Sequence, residues 1–375
     1  MNTFDVVIAG GGLIGASIAL ELAEAGLNVA LFDAREPGRE ASWASAGMIS
    51  PAPENPEMIP FVPLSLASVS LYPSFIRKVE ELAEASVGYR NGGALDVIID
   101  GDAQAELSTV IALQHGVGLK AEALSAERAR EMEPALTEDM QAAIFRQDEA
   151  SVDTRALTSA TLKAAERKGV QIFTRNGAKA LARSGPRCDG LVLEYGQVAA
   201  KWTVIAAGCF SASIDGVAPY APVFPAKGQM MALRCESLEI QHVLWLEHTY
   251  LVPRNDGRII AGSTIERTGF DHDVTAGGLK KILNEATKLV PGLDKARIEE
   301  TWAGLRPDSP DHSPIVGPTD LDGLLIATGH FRSGILLAPI TARMIREWVT
   351  TQKVSVNWDR LSPMRFLEAT RTRGA

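Results

Sequence analysis

Residues Phe4 to Asp33, FDVVIAGGGLIGASIALELAEAGLNVALFD, constrain the fold more than any other stretch. The apolar run Asp5-Val6-Val7-Ile8-Ala9 reads as a strand. Gly10-x-Gly12-x-x-Gly15 follows at once and opens a run of helix formers from Leu13 to Ala25, which Gly26 stops. Asn28 to Phe32 is a second apolar strand ending on Asp33. Glycines at this spacing say little by themselves. Here they follow a strand, open a helix and precede an acid 18 residues beyond Gly15, the context of a dinucleotide-binding βαβ unit. Gly10 permits the turn, Gly12 lets the backbone reach a pyrophosphate, and Gly15 lets helix and strand pack closely. The helix start at Leu13 and Ile14 offers N–H groups and positive dipole to phosphates. Asp33 can accept hydrogen bonds from a ribose diol.

A chain of 375 residues is too long for one simple core, so two lobes are expected. The net charge of −9 argues against a nucleic-acid or anionic-membrane surface. Cys188, Cys209 and Cys235 are far apart and form no CxxC, which suits a reducing cytoplasm and no disulfide framework. The histidines form no HExxH pattern, and no metal is expected. Val6 to Leu20 is uncharged, but Asp5 precedes it, glycines interrupt it, and it falls short of the roughly 20 residues of a membrane span. Neither a cleavable leader nor a membrane association is expected.

Beyond Asp33, a segment rich in Ala, Ser and Gly runs to Met48. Small residues let a backbone lie against a flat ligand, and serine hydroxyls can donate to phosphates. The segment reads equally as an ordinary small-residue helix or as the grip on a large planar ring. A flavin needs that grip here; a nicotinamide does not obviously do so. Pro51, Pro53, Pro56, Pro60 and Pro63 crowd 13 residues and predict a loop bordering a site or merely linking. Leu64 to Val87 is predicted helical from the spacing of Phe75, Ile76, Val79 and Leu82. Gly88 to Ile99 turns into a strand. Asp102 to His115 and Ser125 to Glu131 read as helices around a short connection. Thr154 to Lys168 is a helix stopped by Gly169, and Val170 to Thr174 a strand. Lys201 to Gly208 is an apolar strand that returns to the first sheet, and Pro222 to Met230 marks the crossing out of it. Met231 to Arg234, Tyr250 to Pro253 and Arg258 to Ala261 are strands, the last two joined at Asn255-Asp256-Gly257 by a hairpin turn. Ala276 to Val290 is helical. Glu299 to Leu305 is a strand leading to Arg306, and Leu324 to Gly329 a last strand whose glycine turn opens a helix from Ile335 to Val349.

Several of these pieces follow one another in a known order: GGGLIG with Asp33, Ser45-Ala46-Gly47-Met48, Val152-Asp153, Ala206-Ala207-Gly208, Lys227-Gly228-Gln229, Gly304-Leu305-Arg306-Pro307, and GHFRSGILLAP at residues 329–339. Over nearly its whole length the chain resembles the FAD-dependent D-amino-acid oxidase superfamily. The tail and the segment Tyr250-Leu251-Val252-Pro253-Arg254 are most similar to the glycine oxidases of bacterial thiamine biosynthesis. The resemblance implies an α/β fold: a Rossmann-like FAD-binding domain (1–88, 145–225 and 306–375) interleaved with a substrate domain of mixed sheet and helices (89–144 and 226–305). It implies FAD held by Gly10, Gly12, Leu13, Ile14, Gly15, Asp33, Ala34, Arg35, Ser42, Ser45, Ala46, Gly47, Met48, Ala178, Ala206 and Gly208. Gly329, His330, Arg332, Ser333, Gly334 and Ile335 complete that set at the far end of the chain. No cysteine near Arg306 matches the covalent link of the sarcosine oxidases, so the implied FAD is noncovalent. Two departures stand out: Cys209-Phe210 where tryptophan is common, and Ala178 where valine is usual. A homotetramer is implied by the glycine-oxidase resemblance alone.

Flavin oxidation of an amino acid asks little of the protein beyond orientation and charge. The carboxylate is a small amino acid's best handle, and arginine grips it bidentately. Arg306, after an apolar strand and before a proline, is the expected clamp rather than a surface salt-bridge residue. Tyr250 adds a hydroxyl donor unless it only packs. Arg332 is either a second positive group near the substrate or a bridge between loops. His330 and His248 are the titratable candidates, though a neutral amine needs no base. The helix after Ser333 is expected to turn its positive end to the flavin carbonyl. The leading reading is an oxidase of glycine, sarcosine, D-alanine or D-proline that uses O2 and releases hydrogen peroxide. The alternatives are a D-amino-acid dehydrogenase passing electrons to a quinone or carrier, and a non-redox FAD-binding protein.

Overall fold

The computed structural model describes residues 3–53 and 56–367. Residues 1–2, 54–55 and 368–375, which the first expected domain includes, lie outside the described residues. β1 (Thr3–Ala9), α1 (Leu13–Glu24) and β2 (Val29–Phe32) form the opening unit. β1 and β2 are parallel, with Val6 beside Val29 and Ala9 beside Phe32. All of β2 is buried, as a strand covered on both faces requires. The small-residue segment divides into α2 (Ala41–Ala44) and β3 (Met48–Ile49). The proline window departs from the loop expectation. Pro56–Phe61 winds into a 3-10 turn that runs into α3 (Val62–Ala83). Pro63 falls in the first turn of that helix, where a missing N–H costs no hydrogen bond.

β4 (Ala94–Ile98), α4 (Ala103–Gly116), β5 (Ala121–Ser125), α5 (Ala126–Met132) and β6 (Ala142–Arg146) come next. Asp102 caps α4 by accepting the Ala105 N–H at 3.1 Å, and Ser125 caps α5 by accepting that of Arg128 at 3.2 Å. The connection predicted between these helices is itself the strand β5. After β7 (Ala150–Ser151), Asp153 caps α6 (Thr154–Arg167). β8 (Gln171–Phe173), β9 (Ala178–Ser184), β10 (Arg187–Leu193) and β11 (Gln197–Ile205) follow. Then come β12 (Phe224–Arg234), β13 (Val243–Leu246), β14 (Thr249–Pro253), β15 (Arg258–Gly262) and α7 (Ala276–Leu289). The chain closes with β16 (Arg297–Asp308), β17 (Ile315–Pro318), β18 (Leu324–Thr328) and α8 (Gly334–Thr351).

The strands make two eight-stranded sheets and a β3–β7 pair. The first sheet runs β17-β18-β11-β1-β2-β8, with β10 on β11 and β9 on β10. β11 is parallel to β1, so the 201–208 strand does return to the first sheet. The second sheet runs β16-β12-β15-β14-β13-β4-β6-β5. This is the mixed α/β arrangement the sequence predicts, with the second sheet inserted between strands of the first.

Two boundaries differ from expectation. β12 already begins at Phe224, so the predicted crossing at 222–230 lies largely inside a strand. β16 runs through Arg306 to Asp308, so Arg306 sits within a strand rather than after it, directly across from Ala226. The prolines explain the misreading. Pro225 and Pro307 face each other, so both missing N–H groups fall on one rung of the ladder, against the edge strand of the sheet.

The main core joins α1, α3, α6 and α8 to one face of the first sheet. Residues 56–83, which include α3, are long and apolar enough to cross a membrane by length and composition. In this fold α3 packs its Tyr72, Phe75 and Val79 into that core. Its Tyr72 hydroxyl donates to the Ile335 carbonyl, and Ser68 donates to Leu336. α3 therefore braces the start of α8. A second core lies under α7 and the second sheet.

Candidate active site

One cavity of about 530 Å³ is lined by residues of both sheets, within the usual range for ligand sites. Its nucleotide-type end is built from backbone. Gly10 has φ +107°, and a Cβ there would stand 2.6 Å from the Ala206 carbonyl carbon. A Cβ on Gly15 would overlap the Gly10 carbonyl oxygen. The turn closes only because both are glycine. The Asp33 carboxylate accepts the N–H of Gly11 at 2.7 Å and of Arg35 at 2.9 Å. It thus fixes the glycine turn as well as facing the cavity. Ser42 lies outside α1 yet accepts the Leu13 N–H at 2.9 Å. Arg35 pairs with Glu40 at 2.5 Å and lies 5.0 Å over the Phe210 ring. Burial outweighs that arginine and pushes the Glu40 carboxyl above its ordinary range.

The roof end is built from side chains of the second sheet. Arg306 donates from Nη2 to Ser263 Oγ at 2.7 Å and from Nη1 to the Thr264 carbonyl at 3.2 Å. Its guanidinium lies over Gly228, where a Cβ would stand 2.5 Å from Cζ. Tyr250 on β14 is buried, packs edge-on to Trp245 at 5.3 Å, and turns its hydroxyl to Met230 Sδ at 3.9 Å. The Trp245 indole donates to Glu149 at 3.3 Å, and Ser50 donates to the same carboxylate at 2.7 Å. Glu149 is buried, and that burial raises its pKa despite Arg146 beside it.

The turn residues Arg332 and Ser333 and the start of α8, Gly334 and Ile335, close the third side. His330, just before them, lines the cavity but is 3% exposed, with Nε2 3.1 Å from Thr341 Oγ1. Burial pushes its pKa down to about 4, so the ring is neutral near pH 7. His248 is exposed at the turn between β13 and β14 and is not among the lining residues.

The seam between the two sheets is specific. The Arg155 guanidinium on α6 lies 3.6 Å from the Trp43 ring centroid and 4.7 Å from that of Trp302. It also grips Glu300 bidentately at 2.8 and 3.1 Å. Trp302 donates to the Ala44 carbonyl at 2.9 Å, and the half-buried Arg254, just beyond β14, donates to that of Ala46 at 2.7 Å. Two roof strands thereby hold the segment 43–46 against the cavity.

Of the residues singled out in the sequence, Gly10, Gly12, Leu13, Ile14, Asp33, Ala34, Arg35, Ser42, Ser45, Ala46, Met48, Ala178, Ala206 and Gly208 line the cavity. So do Tyr250, Arg306, His330, Arg332, Ser333, Gly334 and Ile335. Gly15, Gly47 and Gly329 do not: Gly15 lies in α1 against the Gly10 carbonyl, and Gly47 and Gly329 take positive φ in turns. The sequence reading missed the lining residues Trp245, Met230 and Gly228, and Glu149 behind them. The run Val243-Leu244-Trp245-Leu246 carried the signal for a buried strand. Nothing in the sequence pointed to Glu149.

The profile of a family described as DAO, FAD dependent oxidoreductase, matches residues 5–348. The bifunctional protein ThiO/ThiG of Synechocystis sp. is 37% identical over 98% of this chain and 55% of its own length. The chain thus spans about half of that relative. The glycine oxidase of Geobacillus kaustophilus is 31% identical over 94% of this chain and 95% of its own. A crystal structure of glycine oxidase from that organism superposes with a TM-score of 0.92 at 30% identity, covering 97% of this chain and 99% of that one.

Proposed function

This chain belongs to the DAO family of FAD-dependent oxidoreductases, and within it we propose an oxidase of glycine or a comparably small amine or D-amino acid. Sarcosine, D-alanine and D-proline are the other candidate substrates. The observation that carries this reading is the placement of Arg306 and Tyr250 on the roof wall of a cavity whose other end is a glycine cradle.

The residues fit FAD. At Gly10 and Gly15 a Cβ would collide with backbone, so the turn keeps close approach open for a pyrophosphate. Leu13 and Ile14 start a helix pointed at that turn, and Asp33 faces a ribose position. Ser42, Ser45, Ala46 and Met48 give a shallow wall for a flat ring, and the start of α8 supplies a positive helix end. Gly15, Gly47 and Gly329 support this set from behind. No cysteine lies near Arg306 in the sequence, where a covalent link like that of the sarcosine oxidases would require one, which favours a noncovalent cofactor. We place the domain boundaries as the resemblance implies: 1–88, 145–225 and 306–375 for FAD, 89–144 and 226–305 for substrate. Three of these four boundaries fall within strands, β6, β12 and β16.

When bound, FAD supplies a hydride acceptor that O2 regenerates with release of H2O2. Arg306 and the Tyr250 hydroxyl hold the substrate carboxylate and so fix the α-carbon. Arg332 adds positive charge at the α8 side. Neutral His330 adds none, and a substrate amine that has already lost its proton needs no base. Trp245 and Met230 line the roof beside Tyr250 and border the space open to a substrate side chain. The imine product hydrolyses to an oxoacid and ammonia or, from glycine, feeds thiazole synthesis for thiamine. That last role is supported by similarity to proteins named glycine oxidase and ThiO/ThiG. We further propose a cytoplasmic homotetramer. The cytoplasmic part agrees with three buried, unpaired cysteines, and the tetramer rests on the resemblance.

The test is anaerobic mixing of the yellow protein with glycine, sarcosine, D-alanine and D-proline in turn, followed by air. Bleaching of the flavin band, with return of colour and peroxide on aeration, is the expected result. Bleaching without rapid reoxidation would mark a dehydrogenase, and no bleaching by any of the four would refute the substrate class.

A further inference from the structure

Behind Arg306 lies a hydrogen-bonded device that the reaction outlined above leaves unexplained. Lys227, Gly228 and Gln229 are consecutive on β12, beside β16, which carries Arg306. Side chains alternate along a strand. Gly228 therefore faces the cavity with Arg306, while Lys227 and Gln229 face away from it. Lys227 is 1% exposed, and its ammonium pairs with Asp271 and, at 3.4 Å, with Glu266. A buried ammonium needs such partners. Glu266 Oε1 accepts from Gln229 Nε2 at 2.7 Å and from Thr264 Oγ1 at 2.5 Å. Thr264 Oγ1 in turn accepts the Gln229 N–H at 2.9 Å. Gln229 Oε1 accepts the Thr275 N–H at 2.7 Å, at the cap of α7. Residues 263–275 are thus a strap fastened to the back of β12 at both ends. Its first two residues, Ser263 and Thr264, accept the hydrogen bonds that aim the Arg306 guanidinium.

We propose that Lys227, Gly228 and Gln229 act together as positioning residues that hold Arg306 in its carboxylate-gripping orientation. Lys227 and Gln229 work through Glu266 and Thr264, and Gly228 by leaving the space the guanidinium occupies. The inference rests on the reading of Arg306 as the substrate clamp. Its logic is preorganisation. Arginine has many rotamers, and a fork already held in place does not have to be ordered when the substrate arrives.

The experiment compares FAD-loaded wild type with K227M, K227R, G228A and E266Q. Three quantities are read: kcat and KM for glycine, the dissociation constant of acetate from its perturbation of the flavin spectrum, and FAD content. K227M is expected to raise the KM for glycine and the acetate dissociation constant together by ~10-fold, with kcat within ~3-fold and FAD content unchanged, as lost preorganisation requires. K227R, which keeps the charge, restores both constants to within ~3-fold. G228A, which crowds the guanidinium itself, shows the same signature at least as strongly. A general loss of packing would instead lower kcat and FAD content, and K227R would not repair it. If K227M does not fold, E266Q, which leaves Lys227 its Asp271 partner, must weaken acetate binding. The proposal is overturned if acetate affinity and KM stay within ~2-fold of wild type in the folded variants, a range in which no positioning contribution is left. Wild type that neither binds acetate nor is reduced by glycine would overturn the substrate reading, and the inference with it. An active wild type with an indifferent K227M overturns the alignment alone.

Discussion

At one end of the cavity Gly10 and Gly15 press backbone against backbone; at the other, Arg306, Tyr250 and Trp245 project from three strands of a different sheet. The first end offers N–H groups, a helix terminus and one carboxylate, all placed within 30 consecutive residues. The second offers side chains backed by a strap behind Arg306 and a buried glutamate behind Trp245. The contrast teaches that a cofactor shared by many enzymes can be held by the main chain, whereas a particular substrate is met by side chains that need support from behind.

Breaking the backbone end carries the largest expected effect. Gly10→Val forces a β-branched residue to φ +107° and against Ala206. We expect FAD affinity to fall by ~100-fold or more, read as colourless protein after gel filtration, because strain and collision together cost at least about 3 kcal/mol. Yellow G10V would show that the cradle is not what holds the nucleotide.

The acid response of His330 sharpens the comparison at the α8 side. Its folded pKa is about 4 against 6.5 unperturbed. Unfolding therefore takes up a proton between those values, and stability falls as pH drops through that window. From pH 7 to pH 5 this one residue should remove about 2 kcal/mol, and H330N should flatten that slope in urea unfolding. Equal slopes in the two proteins would mean that the ring is not held neutral.

The smallest effect is expected at the seam. Arg155→Ala removes a half-buried bidentate ion pair and a stacked cation, worth about 1–2 kcal/mol in thermal or urea unfolding. Because this seam pins residues 43–46, R155A should also weaken FAD more than it weakens acetate. The opposite order would place the seam with the roof rather than with the cradle.

Legibility in the sequence follows the same division. Gly10, Gly12, Gly15 and Asp33 could be read because backbone geometry demands those residues at that spacing. Arg306 and Tyr250 came from chemistry and resemblance together, yet Arg306 was placed outside its strand, since Pro225 and Pro307 each looked like a strand end and only their pairing across the ladder shows otherwise. β5, β6, β13 and β17 went unread because each has only four or five residues, too few to show a period, and β6 and β13 both pair with the distant β4. Trp245 went with β13. Glu149 could not be read as a site residue because the partners that tie it to the cavity, Ser50 and Trp245, lie 99 and 96 residues away, while its local partner Arg146 reads as an ordinary ion pair.

The central claim is that the two ends bind different things by independent means. Spectral titration of FAD-loaded R306A with acetate, beside wild type, tests it most directly. The account predicts wild-type FAD content with acetate affinity reduced by ~100-fold or more, the loss expected for a charge-assisted bidentate grip. Undiminished acetate binding in R306A, or loss of FAD along with acetate, would contradict it.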